Sequence, residues 1–225
     1  MPQGFFITGT DTGVGKSEVA AAIAALYTER GFSVSPRKPV ESGCLPDTQG
    51  ERLFPRDGSL LRRASRSSDS LETITPYRFE AVASPEQAAR EAGTPLSLEQ
   101  LIQACSTTTD QDDTLLLVEG AGGFYSPIAQ QALNADLATA LQLPLILVTE
   151  DRLGAINQLL LARQAILDRG LTIYLIILNK KDTSNLNNLN SAQEWVTEPI
   201  IALPPQDHSA PWRSMIKPLT PLFFG

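Results

Sequence analysis

The sequence predicts an α/β fold, a single-domain P-loop nucleotide-binding arrangement with a mostly parallel central sheet flanked by helices. Three observations predict it. Short apolar runs recur at 4–8, 114–120, 143–150 and 171–180. Runs of that length without polar alternation suit strands covered on both faces, as in parallel sheets. Stretches with helical apolar spacing separate them, which implies βαβ units. A glycine-rich segment, GTDTGVGKS (Gly9 to Ser17), joins the first run to a helical pattern, and such junctions place ligands at the carboxyl ends of strands.

Each element has a local reason. GFFIT (4–8) reads as the first buried strand. An alanine-rich helix is predicted from Lys16 to Tyr27, closed by Gly31. FSVS (32–35) suggests a second strand, and PRKPV follows it. Residues 44–70 are read as a long surface loop with one helical piece, LLRRAS. Ser84-Pro85-Glu86-Gln87 is a helix start, with Ser84 as N-cap and Gln87 in the capping-box position. SLEQLIQAC (97–105) repeats the pattern with Ser97 as cap. TLLLVEG (114–120) and LPLILVTE (143–150) are core strands. A helix over about 155–168, closed by Gly170, precedes a strand at LTIYLIILNK (171–180). Residues 183–190 read as a polar loop and PIIALP (199–204) as the last strand.

Composition narrows the function. The 225 residues, 42% apolar and 19% charged, suffice for one core, and 1–225 is read as one domain without repeat or linker. The net charge of −7 argues against a nucleic-acid partner or an anionic membrane surface. Two cysteines, Cys44 and Cys105, and one histidine, His208, build neither a disulfide framework nor a Cys/His zinc site. The thiols read as reduced and the protein as cytoplasmic. No apolar stretch approaches the ~20 residues of a membrane span, and no signal peptide is expected.

GTDTGVGKS is a Walker A arrangement. Glycines let backbone amides cradle phosphate oxygens, and the helix N-terminus adds its positive dipole end. Lys16 is placed to reach the outer phosphates, and the Ser17 hydroxyl to meet Mg²⁺. Five residues separate Gly9 from Gly15, so Thr10 holds the strict first-glycine position. Lys38, in RKPVESG, follows the second strand and faces the same crevice, where a second cation would neutralise charge on a moving phosphoryl group. Glu119 ends the TLLLV strand before GAGG. A carboxylate there is costly unless paired or metal-bound, and this is the Walker B position. Asp57 is, on pattern alone, a loop aspartate.

In order, GTDTGVGKS, KPVESG, an isolated Asp57, SPEQAA, VEGAGGFYSPI and LGAIN resemble the dethiobiotin synthetase family across nearly the whole chain. The resemblance implies ATP- and Mg²⁺-dependent closure of a cyclic urea. One amine of 7,8-diaminononanoate adds to CO₂ (supplied as bicarbonate) to give a carbamate. Its oxygen attacks the γ-phosphorus of ATP, and the second amine closes the ring and expels phosphate. No protein nucleophile is required, and positioning with charge stabilisation suffices.

Residue by residue, the resemblance implies that Gly13, Val14, Gly15, Lys16, Ser17 and Glu18 wrap the phosphates. Gly120, Ala121 and Gly122 follow Glu119 around the nucleotide. Ser17, Asp57 and Glu119 would arrange Mg²⁺, and Lys16 and Lys38 would act catalytically on carbamate and γ-phosphate. Thr12 and Ser42 would meet the diamine end. Gly154, Ala155 and Asn157 would hold the substrate carboxylate from the other subunit of a homodimer. Asn179 and Lys180 would meet the base, with Pro204, Pro205 and Gln206 closing over it. The chain departs from the family at Ser17, for the commoner Thr, and at Gly13 and Glu86, where relatives carry an acidic residue and His.

Asn179-Lys180-Lys181-Asp182 also reads as the NKxD guanine motif of GTPase switches, leaving ATP against GTP open, although the Glu119 strand end lacks a DxxG aspartate. Partition-type ATPases carry a lysine near the loop start, where this chain has Thr10-Asp11-Thr12. Related amidotransferase synthetases carry a second domain for which there is no room.

Overall fold

The computed structural model describes residues 3–50, 52–106, 113–180, 187–205 and 212–225. One sheet contains β1 (Gly4–Gly9), β2 (Ser33–Arg37), β3 (Thr114–Glu119), β4 (Leu145–Glu150), β5 (Ile173–Asn179) and β6 (Ile200–Leu203). The order is β6-β5-β4-β1-β3-β2, and every neighbouring pair is parallel. From β1 the chain crosses to the edge at β2, returns to β3 beside β1, and then runs outward on the other side through β4, β5 and β6. The crevice at the end of β1, where the direction reverses, is where such a sheet receives a ligand.

The helices are α1 (Lys16–Glu29), α2 (Arg56–Ser65), α3 (Leu71–Ile74), α4 (Pro85–Glu91), α5 (Leu98–Ala104), α6 (Asn134–Leu141), α7 (Ala155–Asp168), α8 (Leu189–Gln193) and α9 (Arg213–Phe224). Alternate strand residues serve opposite faces. Phe5, Ile7, Leu117, Ile146, Val148 and Ile177 pack towards α1, α2 and α9. Phe6, Val118, Leu145, Leu147, Ile176 and Leu178 pack towards α4 to α7. Residues 20–25 are all buried, because α1 lies on the sheet with α2 and α9 packed against it. A helix apolar all round belongs in such a place.

Several elements differ from the sequence reading. In the 44–70 segment the expected helical piece LLRRAS is found but belongs to a longer helix, α2, and the rest holds the ribbon Leu45–Pro46 with Leu53–Phe54. Helix α2 starts at Arg56 because a distant residue caps it. The Asp57 and Gly58 backbone N–H groups donate to Glu41 Oε1 and Oε2 at 3.1 and 3.2 Å. Helix α6 was not anticipated, and α8 enters the stretch expected as loop. Helix α9 was also missed, for it contains Pro218 and Pro221, residues that ordinarily break helices. Its buried stripe Met215, Leu219 and Phe223 holds it. Phe223 stacks among Phe5, Tyr27 and Tyr174 with ring centroids 5.4 to 5.8 Å away. The full capping box forms at Ser97. At Ser84 the side chain accepts from the Gln87 N–H, but the Gln87 amide donates to Glu91 instead of returning.

Candidate active site

The loop after β1 is tied down on both sides. Thr10 N–H donates to the Val148 carbonyl and Phe124 N–H to the Gly9 carbonyl, at 3.0 and 3.1 Å. Gly15 stands at the start of α1 with φ 98°, and no side chain caps the helix there. A Cβ on Gly15 would collide with the Asn179 amide. That amide donates from Nδ2 to the Val14 carbonyl at 3.0 Å, so the end of β5 leans directly on the loop. Asn179 Oδ1 is buried and has no hydrogen-bond partner among the described residues. An uncapped helix start of this kind is a built anion site.

A cavity of about 550 Å³ opens above the loop, and Thr12, Gly13, Gly15, Lys16, Ser17 and Glu18 form one wall. Lys38, Glu41, Ser42, Asp57, Glu119, Ala121 and Gly122 form the next, and Val82 to Pro85 with Ser126 complete it. Lys38 Nζ lies 2.6 Å from Glu119 Oε1 and 3.1 Å from Asp57 Oδ2, and it donates to the Gly120 carbonyl at 3.2 Å. Ser17 Oγ donates to the same Glu119 oxygen at 2.8 Å. Two lysines and three carboxylates therefore share one largely desolvated space.

Their protonation follows from that crowding. Burial works to lower Lys38, but Glu119 and Asp57 outweigh it and hold the ammonium above its ordinary range. Burial pushes Glu119 up to about 7 even against the attraction of Lys38. Asp57 lies below its ordinary value, because Lys38 overcomes its burial. Lys16 comes down to about 8, first through burial and then through repulsion by Lys38. Its Nζ donates to the Asp11 carbonyl at 2.8 Å.

Residue Asn134, which no sequence pattern singled out, fixes the loop after Glu119. Its Oδ1 accepts the Ala121 N–H at 3.2 Å, and its Nδ2 donates to the Ala121 and Gly123 carbonyls. Asn134 is buried at the first turn of α6, so missing that helix meant missing the anchor. Glu41, Ser126 and the Val82–Pro85 wall likewise carry no sequence signal for a place in the cavity, although Glu41 lies within KPVESG and Ser126 within VEGAGGFYSPI.

Other expected residues fall as follows. Val14 is buried under the loop and Gly120 contributes its carbonyl. Lys180 follows Asn179, with Nζ 3.9 Å from Asp151 Oδ2. Pro204 and Pro205 follow β6, whose Leu203 carbonyl accepts the Lys180 N–H at 3.3 Å. Gln206, Lys181, Asp182 and His208 lie outside the described residues. Gly154, Ala155 and Asn157 stand at the start of α7 and do not line the cavity of their own chain. Glu86 pairs with Arg90 on α4 and is also outside it.

Among the described residues, no group of three His, Cys, Asp or Glu side chains could wrap an ion unaided. Mg²⁺ does not require that: it takes one or two carboxylates and completes its shell with water and phosphate. Ser17, Asp57 and Glu119 offer oxygen donors only, and Glu119 Oε2 is buried without a hydrogen-bond partner among the described residues. The donor set fits that ion.

The sheet order, the phosphate loop and the carboxylate at the end of β3 define a P-loop nucleotide-binding protein. Solved structures agree on the fold. The septum site-determining protein MinD of Pyrococcus horikoshii aligns over 97% of this chain and 90% of its own, with TM-score 0.56 at 17% identity. A ParA family ATPase from Chlorobium tepidum gives 0.52 at 18%, covering 96% and 90%. The AAA domain family matches residues 3–212. The chain is 37% identical over 215 residues to the ATP-dependent dethiobiotin synthetase BioD of Ruthia magnifica, covering 96% of this chain and 97% of that one. The protein of the same name from Pseudomonas aeruginosa is 39% identical, covering 92% and 90%. The chain belongs to the dethiobiotin synthetase family.

Proposed function

We propose that the chain carries out the reaction for which its relatives are named: ATP-dependent closure of a cyclic urea on 7,8-diaminononanoate with CO₂, releasing ADP and phosphate. The observation that carries this reading is Lys38. It is a buried cation held between two carboxylates at the mouth of a phosphate loop, in a cavity with room for a second substrate. Among the described residues the cavity holds no cysteine or histidine, and the reaction asks for none.

In this reading the loop amides and Lys16 bind the phosphates. Lys38 sits where the carbamate oxygen meets the γ-phosphorus, and it balances charge that grows during transfer. Ser17, Asp57 and Glu119 would hold Mg²⁺, which neutralises phosphate charge when bound. Thr12 and Ser42 meet the diamine. The Ser42 hydroxyl donates to the Ala83 carbonyl at 2.7 Å, which leaves its oxygen able to accept from an N–H group. The rigid loop, braced by Asn134 and Asn179, supplies the orientation on which such catalysis depends.

Adenine suits the base site through Asn179. With Nδ2 committed to Val14, the remaining Oδ1 is an acceptor. The exocyclic amine of adenine can donate to it, whereas guanine presents a carbonyl at that edge. Asn179 is 0% exposed and outside the cavity lining, so the base reaches that oxygen only by parting the seam against the phosphate loop. Lys180, Pro204 and Pro205 flank the base in this reading. Gly154, Ala155 and Asn157 serve the cavity of a second copy in a homodimer. The Ala155 N–H already donates to the Arg152 carbonyl at 3.0 Å, so the amides of Ile156 and Asn157 in the first turn of α7 are the ones that suit a substrate carboxylate, and Leu153 beside them is 85% exposed. Among the described residues no helix is long and apolar enough to cross a membrane, which supports a cytoplasmic site of action. The reading is tested by phosphate release from ATP with Mg²⁺ and bicarbonate, with and without the diamine. Release that depends on the diamine is expected, and release indifferent to it contradicts the proposal.

A further inference from the structure

Four carboxylates line the cavity, Glu18 on the phosphate-loop wall and Glu119, Asp57 and Glu41 opposite; of the last three, the chemistry so far has used two. Glu119 and Asp57 are paired with Lys38. Glu41, beside them, is 7% exposed and makes no ion pair among the described residues. Its two oxygens each accept one backbone N–H from the first turn of α2. A carboxylate offers about four acceptor positions, so roughly half of its capacity is unused. An anion buried to this degree is costly unless charge or hydrogen bonds compensate it.

The surroundings of Glu41 indicate what would complete it. Ser42 follows it in the chain, while Val82, Ala83 and Pro85 give the same cavity an apolar flank. An anionic acceptor beside an apolar wall is complementary to a primary amine carried on an alkyl chain. ATP offers no such group, and Mg²⁺ has Ser17, Asp57 and Glu119.

We propose that Glu41 binds the second amine of the diamine, the one that closes the ring, while the first carries the carbamate. The inference rests on the functional reading above and adds to it a residue and a contact. The N–H groups of that amine donate to the free acceptor positions of Glu41, which turns the nitrogen lone pair towards the carbamate carbon. Glu41 then has two roles, since the same carboxylate caps the helix that carries Asp57.

Two roles in one side chain require a test that separates them. Binding of three probes is measured with ATP and Mg²⁺ present: 7,8-diaminononanoate and the two mono-amines that each lack one of its nitrogens. Wild-type protein is compared with Glu41→Gln, and MgATP affinity is measured in parallel. Glu41→Gln is expected to weaken the diamine and one mono-amine by roughly 10- to 100-fold, the usual worth of a hydrogen bond to a charged group. The other mono-amine and MgATP should change less than about threefold. Equal weakening of both mono-amines, no weakening of any probe, or a parallel loss of MgATP would make Glu41 a helix cap only and overturn the inference. Should the variant not fold, wild type decides alone: equal affinity for the diamine and both mono-amines leaves no contact to the second nitrogen. Failure of the parent reading looks different, since wild type would then form no cyclic urea whatever Glu41 does.

Discussion

Replacing Lys38 by alanine separates its structural role from its catalytic one. The variant loses the 2.6 Å pair with Glu119, the 3.1 Å pair with Asp57 and the bond to the Gly120 carbonyl. Removing one partner of a buried ion pair costs about 3–5 kcal/mol, because the other charge remains buried. For a chain of 225 residues each kcal/mol moves Tm by about 2–4 °C, so a fall of roughly 6–20 °C is expected. The loss should depend on pH. Burial already raises Glu119 to about 7, and without Lys38 only the Ser17 hydrogen bond opposes that push. A carboxyl whose folded pKa lies above its unfolded value loses stability as pH rises through the folded value. The deficit against wild type should therefore be small at pH 5.5 and largest at pH 8. Turnover, measured below the new Tm, should fall on the order of 100-fold or more while the KM for ATP changes little, as befits a donor acting on developing charge. A Tm deficit independent of pH would refute the ionic account of the site. A rise in the ATP KM at unchanged kcat would make Lys38 a ground-state phosphate ligand.

Other perturbations test neighbouring parts. Lys16→Ala should abolish ATP-dependent turnover with the fold intact by circular dichroism, and wild-type turnover would sink the phosphate-loop assignment. Lys16 loses its proton above about 8 in the free protein, and phosphate binds the charged form. The apparent ATP affinity should thus be flat below that pH and fall about tenfold per unit above it; a flat profile to pH 9.5 contradicts this. Gly15→Ala forces a left-handed residue against the Asn179 amide, and its ATP affinity by calorimetry should drop at least tenfold. Wild type should prefer ATP to GTP in kcat/KM, and Asn179→Ala should narrow that preference. A GTP preference would give the base contact to the NKKD string instead.

The buried strands were legible because their apolar runs have the length and lack of alternation that only a two-sided sheet requires. The phosphate loop, Lys38 and Glu119 were legible because motif and strand end coincide. What escaped depends on contacts between residues distant in sequence. Helix α2 begins where Glu41 caps it, across 16 and 17 residues. Helix α9 survives two prolines because aromatic packing with Phe5, Tyr27 and Tyr174 outweighs local propensity. Asn134 gives no periodic signal and acts through three hydrogen bonds to the loop after Glu119. Glu41 was in plain view within KPVESG, yet its exposure and partners, which set its role, exist only once α2 is placed.

The central claim is that this cavity builds a urea from two amines and CO₂ at the expense of ATP. The most direct test incubates the protein with ATP, Mg²⁺, ¹³C-bicarbonate and 7,8-diaminononanoate and follows the products by mass. The account predicts the cyclic urea carrying one ¹³C, formed in equal amount to ADP and absent when ATP is left out. ADP formed at the same rate without the diamine, with no labelled urea, would contradict it.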